Sequence, residues 1–121
     1  YTNNSVRITS TSFSQGCNSH TSSTSAMDKD IYDNAKLMHV FSAGNSNGTN
    51  CAYGAGTQWG NITGGHKQGK NVIATANLTT GDQIASSSGR GPAHDGRVKP
   101  DLGALGTQTY STLENNTYGF K

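Results

Sequence analysis

Residues 37–45, reading L-M-H-V-F-S-A-G-N, restrict the fold of this chain more than any other stretch. The run is short and apolar, and it stops abruptly at Gly44-Asn45 among polar, glycine-rich loops. That length, bounded by turn residues, suits a strand buried on both faces better than a helix. In an open parallel sheet, chemistry gathers beyond the carboxyl ends of the strands. Asn45 stands at such an end, with a side-chain amide able to donate to a developing oxyanion. Taken alone, Gly44-Asn45 reads more simply as a turn.

The flanking segments supply the rest of a sheet. Val6-Arg7-Ile8-Thr9 alternates and is β-prone, so it reads as a strand entering the loop at residues 10–16. Within that loop Phe13 lies between Ser12 and Ser14, where it serves either core packing or the wall of a pocket. A helix is expected from about Ser25, with Met27, Ile31 and Ala35 forming an apolar stripe. Asp28 and Asp30 would complement its dipole. Strand, helix and strand in this order make a βαβ unit with a right-handed crossover. Residues 46–70 lack periodicity, and so long a loop in a compact domain usually has a function; Tyr53 and Trp59 are expected to fold it onto the body. Residues 71–76, N-V-I-A-T-A, read as a second buried strand, and residues 101–105 as a short third one. Residues 107–112 are β-prone, and residues 117–121 return beside them. The fold class is therefore α/β, loop-rich, with a mostly parallel central sheet.

Composition narrows the function. Charged residues make up only 13% and the net charge is +2, which argues against charge-driven disorder despite an apolar share of 31%. A loop-rich piece leaning on further chain fits better. Arg90, Arg97 and Lys99 approach a basic cluster, but His94 and Asp95 interrupt it and no aromatic ladder accompanies it. Nucleic acid is thus not an expected partner. No apolar run nears the ~20 residues of a membrane span, no signal peptide is visible, and the start at Tyr1 reads as mid-protein sequence. Cys17 and Cys51 form no C-x-x-C pair, and zinc would need His20, His39 or His66 at unusual spacing. A single disulfide stabilising by roughly 3–4 kcal/mol, in an oxidising compartment, is the better use; two unrelated buried thiols are the alternative. No EF-hand spacing or dense acidic cluster suggests a metal. N-x-S/T sequons begin at Asn3, Asn47, Asn61, Asn77 and Asn115, many of them expected by chance in so polar a chain.

Five phrases in order carry a resemblance: S-A-G-N, V-I-A-T-A, S-S-G-R-G-P, D-G-R-V-K-P-D and A-L-G. Their wording and spacing resemble the subtilisin-like serine proteases (subtilases, peptidase S8) over most of the chain. G-C-N at Cys17 and N-C-A-Y-G at Cys51 look like secreted bacterial members, which implies a secreted, extracellular or periplasmic location. The resemblance implies that Asn45 is the oxyanion-hole asparagine. It implies that Ser42, Ala43 and Gly44 form one wall of the primary specificity pocket. Ser12, Phe13 and Ser14 would form the opposing wall, where an extended peptide substrate pairs by β-augmentation. Small residues at Ser42, Ala43 and Gly44 imply an open pocket for large apolar or aromatic side chains. The chain departs from the family in three places. Ser14 replaces a usual Gly, S-S-G-R-G-P stands for F-S-S-R-G-P, and Ala104-Leu105-Gly106 stands for A-P-G. Arg90, Lys99 and Asp101 read as structural, through an Arg-to-carboxylate pair.

A subtilase needs a Ser nucleophile, a His base and an Asp that orients it. The family contexts D-[ST]-G, H-G-[TH] and G-T-S-M-A-x-P do not occur in this sequence. His39, inside the apolar strand, reads as a packed, hydrogen-bonded histidine. The expectation is that residues 1–121 are the central-to-C-terminal part of a catalytic domain, inactive and poorly stable alone. Its partners would be the remaining parts of that domain and a peptide or protein substrate. No cofactor is required for such chemistry, and structural calcium would belong to the complete domain. The alternative is a non-catalytic pseudoprotease that retains an extended-peptide groove.

Overall fold

The computed structural model describes residues 5–120. The sequon at Asn3 and the terminal Lys121 lie outside them. Four strands pair side by side in chain order, all parallel: β1 (Ile8–Thr11), β2 (Met38–Ser42), β3 (Ile73–Leu78) and β4 (Leu102–Leu105). One helix, α1 (Ser22–Asp33), links β1 to β2, and a 3-10 turn at Gly65–Gln68 interrupts the long connection to β3. A separate antiparallel hairpin, β5 (Tyr110–Thr112) with β6 (Tyr118–Phe120), follows β4. This is the α/β architecture with a parallel sheet that the apolar runs imply.

The strand order has a consequence for burial. A parallel sheet that grows one strand at a time in one direction, with right-handed crossovers, places every connection on the same face. On that face His39 and Phe41 of β2 and Ala74 and Ala76 of β3 are buried, and α1 packs there with the 3-10 turn. The other face carries Ile8, Met38, Val40, Ile73 and Leu102, in register across the sheet. Ile8, Met38 and Leu102 are exposed, at 66%, 42% and 48%. The central strand is therefore buried on one face and open on the other.

α1 begins earlier than its apolar pattern suggests, because Thr21 caps it. Thr24 N–H donates to Thr21 Oγ1 and Thr21 N–H donates to Thr24 Oγ1, a reciprocal capping box. Asp28 and Asp30 consequently lie beyond the first turn and do not serve the dipole. Asp28 instead accepts the backbone N–H groups of Lys70 (2.9 Å) and Asn71 (2.8 Å), tying the helix to the entrance of β3. Ala35 falls past the helix end and is exposed, so the stripe shortens to half-buried Met27 and Ile31.

The long connection is anchored by one of its two expected aromatics. Tyr53 is buried and its hydroxyl donates to the carbonyls of Asn18 and Ile62. Trp59 is 61% exposed, beside Val98 and Leu102 in a shallow apolar groove, so it does not fold the loop down. Asn61 is fully buried with both amide atoms bonded, which removes its sequon as a surface site. His39 is buried and hydrogen-bonded to Thr9.

The charged pair near β4 uses a lysine rather than the expected arginine. Lys99 Nζ donates to Asp101 Oδ2 (2.6 Å) and to the Val72 carbonyl (2.9 Å). The same carboxylate oxygen accepts Ala74 N–H at 2.7 Å. The alternation of residues 99 and 101 brings both side chains to the start of β3, whereas Arg90 Nε is buried with no hydrogen-bond partner among the described residues. Asp101→Ala would strand a buried ammonium beside a freed strand N–H. The protein carrying it should lose about 2 kcal/mol or more of stability in urea unfolding. An unchanged midpoint would show that the pair does not hold β4.

Candidate substrate-binding and oxyanion site

The candidate site grows out of the carboxyl end of β2. Ala43 continues the ladder by donating its N–H to the Thr75 carbonyl (2.9 Å) and is buried. Gly44 then turns the chain at φ +97°, a left-handed conformation that a glycine adopts without a Cβ penalty. The loop of S-S-G-R-G-P lies flush on this turn. Gly89 N–H donates to the Gly44 carbonyl (2.8 Å), and a Cβ on Gly89 would sit 2.5 Å from the Ala43 oxygen. Asn47 N–H donates to the Ser87 carbonyl at 3.2 Å, closing the turn from its far side. Asn45, between these tethers, is exposed, and no described residue hydrogen-bonds its side-chain amide.

The segment after β1 forms the second part. Ser12, Phe13 and Ser14 are exposed. Ser12 and Ser42 line one cleft of about 310 Å³ at the carboxyl ends of the strands, together with Val40, Asn77 and Gly106. Phe13 lies toward the covered face, half-exposed and stacked on the His66 ring at 4.4 Å. Ser14 Oγ accepts the Gly16 N–H. A disulfide joins Cys17 to Cys51, with Cα atoms 5.1 Å apart, and fastens the end of this segment to the long connection.

A third segment, not singled out by its sequence, joins the first two. Gly64 N–H donates to the Gly16 carbonyl at 2.6 Å, and His66 packs against both Phe13 and Phe41. A Cβ on Gly44 would lie 2.8 Å from Thr63 Oγ1 and 3.1 Å from Lys67 Nζ. A Cβ on Gly64 would lie 3.4 Å from Lys67 Cε. The lysine side chain therefore runs between the two glycines, fully buried. Lys67 Nζ, Thr63 Oγ1 and His66 Nε2 have no hydrogen-bond partner among the described residues. Burial lowers the pKa of Lys67. Burial also lowers that of His66, with the Lys67 charge adding to the effect against a backbone hydrogen bond at Phe13. One sequence signal marked the place: Lys67 is the first Asp, Glu, Lys or Arg after Lys36.

Among the described residues, no group of three or more His, Cys, Asp or Glu side chains is placed to hold a metal ion. No described helix is long and apolar enough to cross a membrane.

A model of the subtilase family, peptidase S8, matches residues 1–120. No match occurs among curated proteins. Among solved structures, the fold is similar to that of the prenylagaramide maturation protease PagA, with a TM-score of 0.70 and 16% sequence identity. The match covers 98% of this chain and 38% of that one, so the chain spans well under half of that structure's length. At such low identity the likeness concerns the fold alone.

An unpaired buried ammonium is a cost that folding must carry. Lys67→Met keeps the length of the side chain and removes the charge, so the substrate-free, full-length variant should be more stable by about 1–3 kcal/mol. Because the folded pKa is lowered, the native state sheds its proton before the unfolded state does. Wild-type stability should rise with pH from the lowered pKa toward 10.5, and the advantage of the variant should shrink over that window. Urea titrations of both proteins across pH check this; a variant of equal or lower stability would show the amine to be satisfied.

Proposed function

This chain belongs to the subtilase family, and from that membership we propose that it forms the middle of the catalytic domain of a serine endopeptidase. The carrying observation is Asn45: an exposed, unengaged amide at the carboxyl end of the central strand, held by a glycine turn that the S-S-G-R-G-P loop tethers on both sides. In peptide hydrolysis a nucleophile adds to the carbonyl carbon and the carbonyl oxygen gains negative charge. Asn45 Nδ2 would donate to that oxygen, which makes it a donor realised in the transition state. Ser12, Phe13 and Ser14 on one side, and Ser42, Ala43 and Gly44 on the other, would receive an extended substrate backbone. The Asp, His and Ser contexts are absent from these 121 residues, so the nucleophile and base would come from the rest of the full-length protein. The disulfide supports a secreted setting, since such bridges persist where thiols are oxidised.

The bare sheet face supports the same reading. Ile8, Met38 and Leu102 would be covered by other parts of the domain, and the 121-residue piece expressed alone should be inactive and self-associate. A cooperative, concentration-independent melt of that piece as a monomer would count against it.

In the full-length protein, Asn45→Ala should lower kcat by roughly 10²–10³ with little change in KM, the size of loss known for this kind of donor in subtilisin itself. Steady-state kinetics on a chromogenic peptide decides it. An unchanged kcat would remove Asn45 from the mechanism, and a wild-type protein that binds peptides without cleaving them would favour the pseudoprotease.

A further inference from the structure

We propose that Lys67 makes the primary pocket selective for a substrate carboxylate, so that the bond cleaved is the one following Glu, and less well Asp. The inference rests on the peptidase reading above and changes the expectation of an open apolar pocket. Three segments meet at this point. Phe13 lies on His66, and the Gly16 carbonyl is bonded to Gly64 N–H, which sets residues 63–67 against the first wall. Gly44 of the second wall faces Thr63 Oγ1 and Lys67 Nζ within contact distance of where a Cβ would be. Behind the Gly44 wall thus lie a cation and a hydroxyl rather than apolar groups.

Both groups lack what an acidic side chain would bring. Lys67 is fully buried, its Nζ has no hydrogen-bond partner, and none of the four ion pairs among the described residues includes it. Thr63 Oγ1 is also buried and unbonded. A buried ammonium without a counter-charge is expensive, and one with a hydrogen-bonded carboxylate is strongly favoured over the same site left unpaired. A Glu side chain would supply a carboxylate to accept from Nζ and from the Thr63 hydroxyl. A Gln would leave the charge uncompensated, a Leu would leave every polar atom unpaired, and a Lys would add repulsion. Glu extends further than Asp toward Lys67, which is buried behind Gly44.

The test uses the full-length protein and six-residue, end-capped peptides that differ only in the residue before the scissile bond: Glu, Gln, Leu or Lys. Wild-type kcat/KM for Glu should exceed that for Gln by about tenfold or more, the scale of one charge-assisted hydrogen bond. Lys67→Met should erase the Glu-over-Gln ratio and reverse the order of Glu and Leu. Thr63→Val, a smaller change, should reduce the ratio without erasing it. Preferred cleavage after Leu by the wild type, or a Glu-to-Gln ratio that survives Lys67→Met, overturns the proposal while leaving the peptidase reading intact. Failure to cleave any peptide overturns the peptidase reading instead. Calorimetric binding of the same peptides then decides the pocket: a Glu preference abolished by Lys67→Met upholds it, and equal affinity for Glu and Gln rejects it.

Discussion

Ten consecutive residues, 60–69, are buried although only one 3-10 turn organises them, and most of their side chains are polar. Buried backbone and side-chain polar groups must find partners or cost free energy. Two amides do much of this work. Gln68 donates to the Asn18 carbonyl (2.7 Å), accepts His94 N–H (2.7 Å) and bonds Tyr53, while its own carbonyl takes Arg97 Nη2 (2.6 Å). Asn61 accepts Cys51 N–H and donates to the Gly56 carbonyl. Four loops that share no regular structure are thereby fixed to one another. Where this satisfaction stops, at Thr63, His66 and Lys67, the buried stretch meets the two walls of the candidate pocket. On the proposal above, a substrate carboxylate would complete that pairing.

The sheet imposes the complementary asymmetry. Parallel strands added in one direction gather all their crossovers on one face, so the irregular stretch and α1 share that face, and the site's walls emerge from its edge. The opposite face keeps a cleft lined by Ser12, Ser42 and Asn77 next to exposed apolar side chains. On the proposed reading, one face would shape a pocket for a side chain and the other would offer a surface for more protein. Subtilase membership gives both a place in one domain.

How much of this the sequence disclosed depended on the kind of force involved. The parallel strands were legible because burial writes itself as apolar runs: residues 37–45 contain β2, and residues 71–76 contain the first four residues of β3. The start of α1 was misplaced because a threonine pair, not the apolar stripe, sets it. Tyr53 and Trp59 were both expected to fold the long loop down, yet only Tyr53, with a hydroxyl that reaches two carbonyls, does so. Lys99 displaced Arg90 as the partner of Asp101 for a reason no pattern holds, namely which side chain the strand register brings near Val72. Asn45 was singled out through its neighbours in the S-A-G-N phrase, and it lies exposed beyond the end of β2. Lys67 was not, because its meaning lies in a contact with Gly44 across twenty-two intervening residues.

Gly44 is where these lines meet. Its positive φ delivers Asn45 to the surface, its carbonyl holds the S-S-G-R-G-P loop through Gly89, and its missing Cβ leaves room for Thr63 and Lys67. A side chain there would be strained by the backbone and would also press on both polar atoms. The exposed amide of Asn45 and the buried Thr63 and Lys67 side chains are thus set by one backbone turn, where a Cβ on Gly44 would lie 2.8 Å from Thr63 Oγ1. A substrate side chain drawn to Lys67 would brace that turn from within. Binding at the pocket and orientation of Asn45 would then be mechanically continuous, which is the arrangement through which remote binding energy serves the reacting centre.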